Sequence, residues 1–345
     1  MDNLHALLAY AKQNNASDVH LSAGESVRLR IDGQTHAIST PPLSDDAVRH
    51  LIKGVMSDAQ YAKLTSQKEL DFSFEIDGLC RLRANIFHQN RGISAAFRLI
   101  RDDIMSLDML NTGDTLKDFC QLNQGLILVT GATGSGKSTT LAAMIDHINR
   151  TRAVHILTLE DPIEVIHTSK HALINQREIH RDTHDFESAL RAAMREDPDV
   201  ILIGELRDLP SIRLALRAAE TGHLVLATLH TNSAAKAIDR IIDVFDAHEK
   251  NMIRTMLSES LQAVIAQTLV PKIGGGRVAA FEIMTATSAV RNLIRENKVA
   301  QMYSAIQTGS ADGMVSLDTS LRQLAQAGII SAQTAKSLAK HPENF

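Results

Sequence analysis

One run, Gly125-Leu126-Ile127-Leu128-Val129-Thr130-Gly131-Ala132-Thr133-Gly134-Ser135-Gly136-Lys137-Ser138-Thr139-Thr140, constrains the fold more than any other part of the 345-residue chain. Leu126 to Val129 is an apolar run with the length of a buried parallel strand. Gly131 to Ser138 reads G-x-x-x-x-G-K-S, and Leu141, Met144, Ile145 and Ile148 then recur at helical spacing. A strand, a glycine-rich loop and a helix in that order form the setting a P-loop requires. Gly131, Gly134 and Gly136 let the backbone turn tightly and approach an anion. The loop N–H groups and the helix N-terminus then face phosphates. The expected cradle is Gly131, Ala132, Thr133, Gly134, Ser135, Gly136, Lys137, Ser138 and Thr139, with ATP and Mg²⁺ as its ligands. Lys137 is expected at the β- and γ-phosphates, and the Ser138 hydroxyl on Mg²⁺.

The remainder divides in two. In residues 1–100, Leu4, Leu7, Leu8 and Ala11 make an amphipathic helix. Val19-His20-Leu21 and Val27 to Ile31 read as short strands, with a turn at Asp32-Gly33. Ser44 is placed to cap a helix through Val48, Leu51, Ile52 and Val55. Asp71 to Ile76 and Cys80 to Phe87 alternate on either side of Asp77-Gly78, the mark of a hairpin, and Ile93 to Ile100 adds a strand. The whole reads as a small α+β domain. Residues 101–115 are polar, with turn chemistry at Asn111-Thr112-Gly113-Asp114, and read as a linker. Residues 116–345 alternate strands and helices, as in an open α/β sheet. Strands are expected at Leu126–Val129, His155–Leu159, Val200–Ile203 and Leu224–Leu229. From about residue 233 the pattern reads as mostly helical. Ile253, Met256, Leu257, Leu261, Val264, Ile265 and Leu269 form one apolar stripe of core spacing. Gly274-Gly275-Gly276 reads as a hairpin tip.

Binding phosphate is not hydrolysing it. Hydrolysis needs a carboxylate to polarise water near the γ-phosphate. In an open α/β sheet such groups belong at the C-terminal ends of strands. Two strands end in acids: Leu159-Glu160-Asp161-Pro162-Ile163-Glu164 and Val200-Ile201-Leu202-Ile203-Gly204-Glu205. The second is Walker-B-like, with Gly204 where many P-loop enzymes have a Mg²⁺-binding Asp, so Glu205 is expected to act on the metal directly or through water. His230, in Thr228-Leu229-His230-Thr231, is a candidate for sensing the γ-phosphate or holding a carboxylate. Arg81, Arg83, Arg91 and Arg98 lie on or near the hairpin strands of the small domain. Arg83 or Arg98 placed at a neighbour's nucleotide would act as an arginine finger and make the active form a ring.

Composition argues against other classes. A net charge of −4, from 36 basic and 40 acidic side chains, carries no footprint for nucleic acid. Aromatics, at 3%, are too few for base stacking, so a nucleic-acid motor is disfavoured. Cys80 and Cys120 are far apart and read as buried reduced thiols. No run approaches the ~18 apolar residues of a membrane span, and the N-terminus does not read as a signal peptide. A cytoplasmic protein without direct membrane insertion is expected.

Taken together, these stretches resemble the secretion-superfamily P-loop ATPases, and within them the type IV pilus retraction ATPases. The resemblance runs over nearly the whole length. It rests on Ala16-Ser17-Asp18-Val19-His20-Leu21, the P-loop, Leu159 to Glu164 (the Asp box), Asn175-Gln176-Arg177-Glu178 and Arg195-Glu196-Asp197-Pro198-Asp199. Gly204-Glu205-Leu206-Arg207-Asp208, Thr228 to Thr231 (the His box) and Ala289-Val290-Arg291-Asn292-Leu293-Ile294-Arg295-Glu296 complete it. Ala132 stands where the family has Pro, and Val290 where it has Ile. The resemblance implies a RecA-like core, a PAS-like N-terminal domain and a homohexamer. It implies Glu164 as general base, Glu205 at the Mg²⁺ site, His230 on the γ-phosphate side, and Arg83 and Arg98 as inter-subunit arginines. It places the protein at the cytoplasmic base of the pilus, peripheral to the inner membrane, with the inner-membrane platform protein and a paralogous retraction ATPase as partners. The alternative is an accessory ring that binds nucleotide, turns over little and regulates the main motor. Arg291, Asn292 and Arg295 are expected to project toward a partner.

Overall fold

The computed structural model describes residues 4–31, 33–100, 104–110 and 112–345, the side chain of residue 344 excepted. Asp32, half of the expected Asp32-Gly33 turn, lies outside the described residues, as do residues 1–3, 101–103 and Asn111. The chain forms two compact units, Met1–Asp103 and Ile104–Phe345.

The first unit contains α1 (Leu4–Gln13), β1 (Asp18–Ser22), β2 (Arg28–Ile31), β3 (Gln34–Ala37), α2 (Asp45–Lys53), α3 (Asp58–Gln67), β4 (Glu69–Ile76), β5 (Cys80–Gln89) and β6 (Gly92–Leu99). Its six strands pair antiparallel in the order β3-β2-β1-β6-β5-β4. Ser44 caps α2 as the sequence predicts, its side chain accepting from the Ala47 N–H. Leu7, Leu8, Val19, Leu29, Ile52, Leu82, Ile86 and Phe97 meet in one apolar core between the helices and one sheet face.

The second unit holds α4 (Thr115–Cys120), β7 (Gly125–Thr130), α5 (Lys137–Thr151), β8 (His155–Glu160), β9 (Leu173–Glu178), α6 (Phe186–Ala193), β10 (Val200–Ile203), α7 (Leu209–Glu220) and β11 (Leu224–Leu229). It continues through α8 (Ala234–Asp243), α9 (Lys250–Ser260), β12 (Leu261–Pro271), β13 (Arg277–Thr285), α10 (Ser288–Arg295), α11 (Met302–Thr308), α12 (Leu317–Gln326) and α13 (Ala332–Leu338). The strand order is β13-β12-β7-β11-β10-β8-β9, parallel throughout except at the edge strand β13. Strands β7, β10 and β11 are buried along their whole length, which is why they read as unbroken apolar runs. One apolar core lies under α6 to α10 and another under α4 and α5 on the opposite face, so the open α/β sheet expected is covered on both sides.

Two expectations fail. The stretch read as a linker folds into the second unit from residue 104 onward: Leu107 and Leu110 are buried in its core, and α4 begins at Thr115. The polar and turn-forming residues around those two leucines, Ser106, Asp108 and Asn111 to Asp114, masked the contact. The C-terminal part carries more helix than strand, as expected, but the apolar stripe within it is not one helix. The stripe through Ile253 and Leu257 ends with α9, and Leu261, Val264, Ile265 and Leu269 lie on β12. Apolar residues at both periods fit either element locally. Pairing with β7 on one side and β13 on the other decides for strand. Gly274, Gly275 and Gly276, all at positive φ, form the β12–β13 hairpin tip as expected. β9 was not foreseen. Cys80 and Cys120 are both buried.

Candidate active site

Strands β7, β11, β10 and β8 lie side by side and parallel, so their C-terminal ends open at one sheet edge. Each runs into one of the stretches singled out for chemistry. β7 leads into the P-loop, β11 into His230, β10 into Glu205, and β8 into Glu160 to Glu164.

The P-loop turns between β7 and α5 with Gly131, Gly134 and Gly136 all at positive φ. At Gly131 a Cβ would stand 2.4 Å from both the Gln267 carbonyl and the Ser135 hydroxyl, and at Gly136 it would stand 2.7 Å from the Gln267 side chain. Glycine is therefore required twice, once for the turn and once for space. Lys137 opens α5 and donates back to the carbonyls of Gly131 (2.9 Å) and Ala132 (3.1 Å). Burial pushes its pKa down, and the charges of Glu205 and Glu164 oppose that shift, so both acids act on this ammonium. Ala132, Thr133, Gly134, Ser138 and Thr139 are exposed, and Ser138 and Thr139 stand in the first turn of the helix. The Ser135 hydroxyl is buried without a hydrogen-bond partner. An open helix N-terminus, an unsatisfied hydroxyl and a loop too tight for side chains fit a phosphate chain and its divalent cation.

Glu205 follows β10 by two residues. Its carboxylate accepts from Arg207 Nε at 2.7 Å and faces His230 Nε2 at 3.1 Å. Of the two roles considered for His230, holding a carboxylate is the one the geometry displays. Gly204 has a steric reason: a Cβ there would come within 3.3 Å of the Leu159 carbonyl and Glu160 Cα on β8. An Asp at this position would press on the β8 backbone by a few tenths of an ångström, and the acid stands one residue later. Thr130 and Thr231 join the ends of β7 and β11. The Thr231 N–H donates to the Thr130 hydroxyl at 3.0 Å, and that hydroxyl donates to the Thr231 carbonyl at 2.5 Å.

Glu164 is exposed on the segment after β8. Its N–H donates to the Glu160 carboxyl, which also accepts from the Thr158 hydroxyl at 2.7 Å. Burial raises the Glu160 pKa to about 7, against the pull of those donors.

Arg83 and Arg98 are directly opposite each other on β5 and β6 of the first unit. Arg98 Nε pairs with Asp18 Oδ1 at 2.9 Å, and Arg83 Nε lies 3.9 Å from Asp71 Oδ1. Two like charges face to face weaken a sheet unless acids offset them, as Asp18 on β1 and Asp71 on β4 do from the outer sides here.

Sequence reasoning missed Gln267. It is buried on β12, donates to the Ser135 carbonyl at 2.8 Å and accepts from the Thr140 hydroxyl at 2.7 Å, bracing the P-loop from the next strand. Its signal was a glutamine inside an otherwise apolar run. The expected projection of Arg291 toward a partner is corrected. Its guanidinium donates to the Ser258 and Glu259 carbonyls at 2.6 and 2.8 Å, closing the C-terminus of α9. Asn292 and Arg295 are exposed as expected.

The family described as Type II/IV secretion system protein matches residues 1–275. The type IV pilus retraction ATPase PilT of Pseudomonas aeruginosa is 58% identical over 98% of each chain. The type IV pilus ATPase PilU of the same organism is 36% identical over 95% of this chain and 86% of its own. A crystal structure of the pilus retraction motor PilT with bound ADP superposes with a TM-score of 0.91 at 45% identity, over 99% of this chain and 98% of that one. The site lies inside the matched region, and the chain belongs to the Type II/IV secretion system protein family as one of its P-loop ATPases.

Proposed function

We propose that this chain hydrolyses ATP as the subunit of a homohexameric ring and spends the free energy on type IV pilus retraction. The observation that carries the reading is the meeting of the P-loop, Glu205, His230 and the Glu164 segment at one sheet edge. They meet in a chain similar along its whole length to a retraction ATPase.

In this reading the N–H groups of residues 131–139 and the Lys137 ammonium bind the β- and γ-phosphates of ATP. Ser138 and Glu205 would hold Mg²⁺, which when bound neutralises charge on the phosphate oxygens. Glu164 accepts a proton from the attacking water. The water oxygen bonds to the γ-phosphorus, the bond to the bridging oxygen breaks, and ADP and inorganic phosphate leave. His230 keeps Glu205 oriented on the γ-phosphate side. Arg83 and Arg98 serve a neighbouring subunit's nucleotide, which explains why the small unit keeps two guanidiniums opposed across one strand pair. The protein works at the cytoplasmic base of the pilus, peripheral to the inner membrane, against the platform protein and beside a paralogous ATPase. Among the described residues no helix is long and apolar enough to cross a membrane.

The test is ATP turnover by wild type and Glu164→Gln, with the mass in solution measured with and without ATP. A six-subunit species that turns over ATP, and loses turnover but not assembly in the variant, is the expected result. Tight binding without turnover would instead favour the accessory, regulatory ring.

A further inference from the structure

The segment 163–167 carries Glu164 and has no helix or strand of its own. Side chains from two strands hold its backbone. The Ile163 N–H donates to Glu178 Oε2 at 3.3 Å, and the Glu164 N–H donates to the Glu160 carboxyl. The remaining anchors come from one residue. Gln176 Nε2 donates to the Val165 carbonyl at 2.8 Å, and Gln176 Oε1 accepts from the His167 N–H at 2.8 Å. The same amide nitrogen also reaches Glu160 Oε1 at 3.4 Å. Both Nε2 protons and the carbonyl of Gln176 are therefore engaged on this segment and the acid beneath it. Gln176 and Glu178 are two apart on β9, so strand alternation turns both to the same side.

We propose that Gln176 is a positioning residue for ATP hydrolysis: its carboxamide splints the segment bearing Glu164 and so sets where the base carboxylate stands. The proposal rests on Glu164 being the base. A general base must sit within hydrogen-bond reach of the water it deprotonates, and an exposed segment without regular structure takes its position from its anchors. The ends of the segment are fixed without Gln176. Ile163 is buried, and beyond His167 the P-loop helix takes over, Asn149 Nδ2 donating to the Thr168 carbonyl at 2.8 Å and Asn149 Oδ1 accepting from the Lys170 N–H at 2.9 Å. Ile166 and Glu164 are exposed, so the middle of the segment adds little to the core. Loss of the splint should therefore displace Glu164 and leave fold and nucleotide binding intact.

The experiment uses the full chain with Gln176→Met, which keeps the length and removes the hydrogen bonds, and Gln176→Glu, which keeps only the acceptor for His167. Intact sites are counted by titration with a fluorescent ADP analogue, and turnover is expressed per site. For Gln176→Met, kcat is expected to fall about 10-fold or more, with KM for ATP and analogue affinity within about twofold of wild type. Added to Glu164→Gln and followed by single turnover of radiolabelled ATP, Gln176→Met should cost less than about twofold further, because the group it positions is already gone. Unchanged kcat in both Gln176 variants would overturn the splint. So would a full additional loss on the Glu164→Gln background, or a loss of analogue binding in both, since Gln176 would then be holding the fold. The base assignment fails separately, by Glu164→Gln turning over normally whatever the Gln176 variants do.

Discussion

The two sides of the site are built in opposite ways. The phosphate cradle is nine consecutive residues whose shape is written in backbone torsions, with three glycines at positive φ and a lysine folded back on the loop's own carbonyls. The Glu164 segment takes its shape from side chains of β8 and β9, the latter ten or more residues downstream of Glu164. A local device of this kind is recognisable from a string of residue types. A segment held by distant side chains is not, because its anchors carry no pattern near the residue they serve. The cradle still has one non-local part, Gln267, and the Glu164 side has one buried acid, Glu160. These are the places to press the contrast.

The largest effect should come from the cradle. Lys137→Ala is expected to lower ATP turnover by about 100-fold or more, since it removes a buried cation from the proposed phosphate cradle. Turnover near wild type would mean the cradle is not the phosphate site.

Glu160 should show next, in stability. Its carboxyl holds a proton up to about pH 7 in the folded chain, whereas an unfolded glutamate loses it near pH 4.5. The folded state thus binds more protons between these values. The contribution of this group to stability is complete below about pH 4.5 and is lost as pH rises through 7, a swing on the order of 3 kcal/mol. Denaturant titrations at a series of pH values should show this fall in wild type and a flatter profile in Glu160→Gln. Identical slopes would mean Glu160 is ionised in the fold.

Gln267→Leu tests whether the cradle is as self-contained as its sequence suggests. It leaves the Ser135 carbonyl and Thr140 hydroxyl without their buried partner, an expected cost of about 1–3 kcal/mol. Nucleotide affinity should drop several-fold with it. Stability lost with unchanged affinity would make the cradle wholly local.

The smallest effect is expected far from both, at Arg291→Ala. Removing the guanidinium from the last carbonyls of α9 should lower the unfolding free energy by about 1 kcal/mol and leave turnover per site unchanged. A fall in turnover would tie this helix end to the catalytic fold.

Much of the fold was legible because its parallel strands are buried on both faces. Val200–Ile203 and Leu224–Leu229 match the structure residue for residue for that reason. β9 was not, because an edge strand bearing Asn175, Gln176, Arg177 and Glu178 has no apolar run to betray it. β12 was misread because its apolar residues satisfy a helical period as well as a strand one. Glu205 and His230 were both legible as strand-end residues, yet their 3.1 Å contact was not.

By itself the sequence determined the P-loop and the α/β core, because glycine torsions and buried strands act over a few neighbouring residues. It also determined which acids end strands, since that depends only on position along the chain. Tertiary structure alone decided what those acids touch. Strand order put β10 between β8 and β11, the β8 backbone left little room beside Gly204, and β9 docking at the sheet edge brought Gln176 under the Glu164 segment. The physical reason is range: hydrogen bonds and steric limits between residues distant in sequence exist only once the sheet has formed.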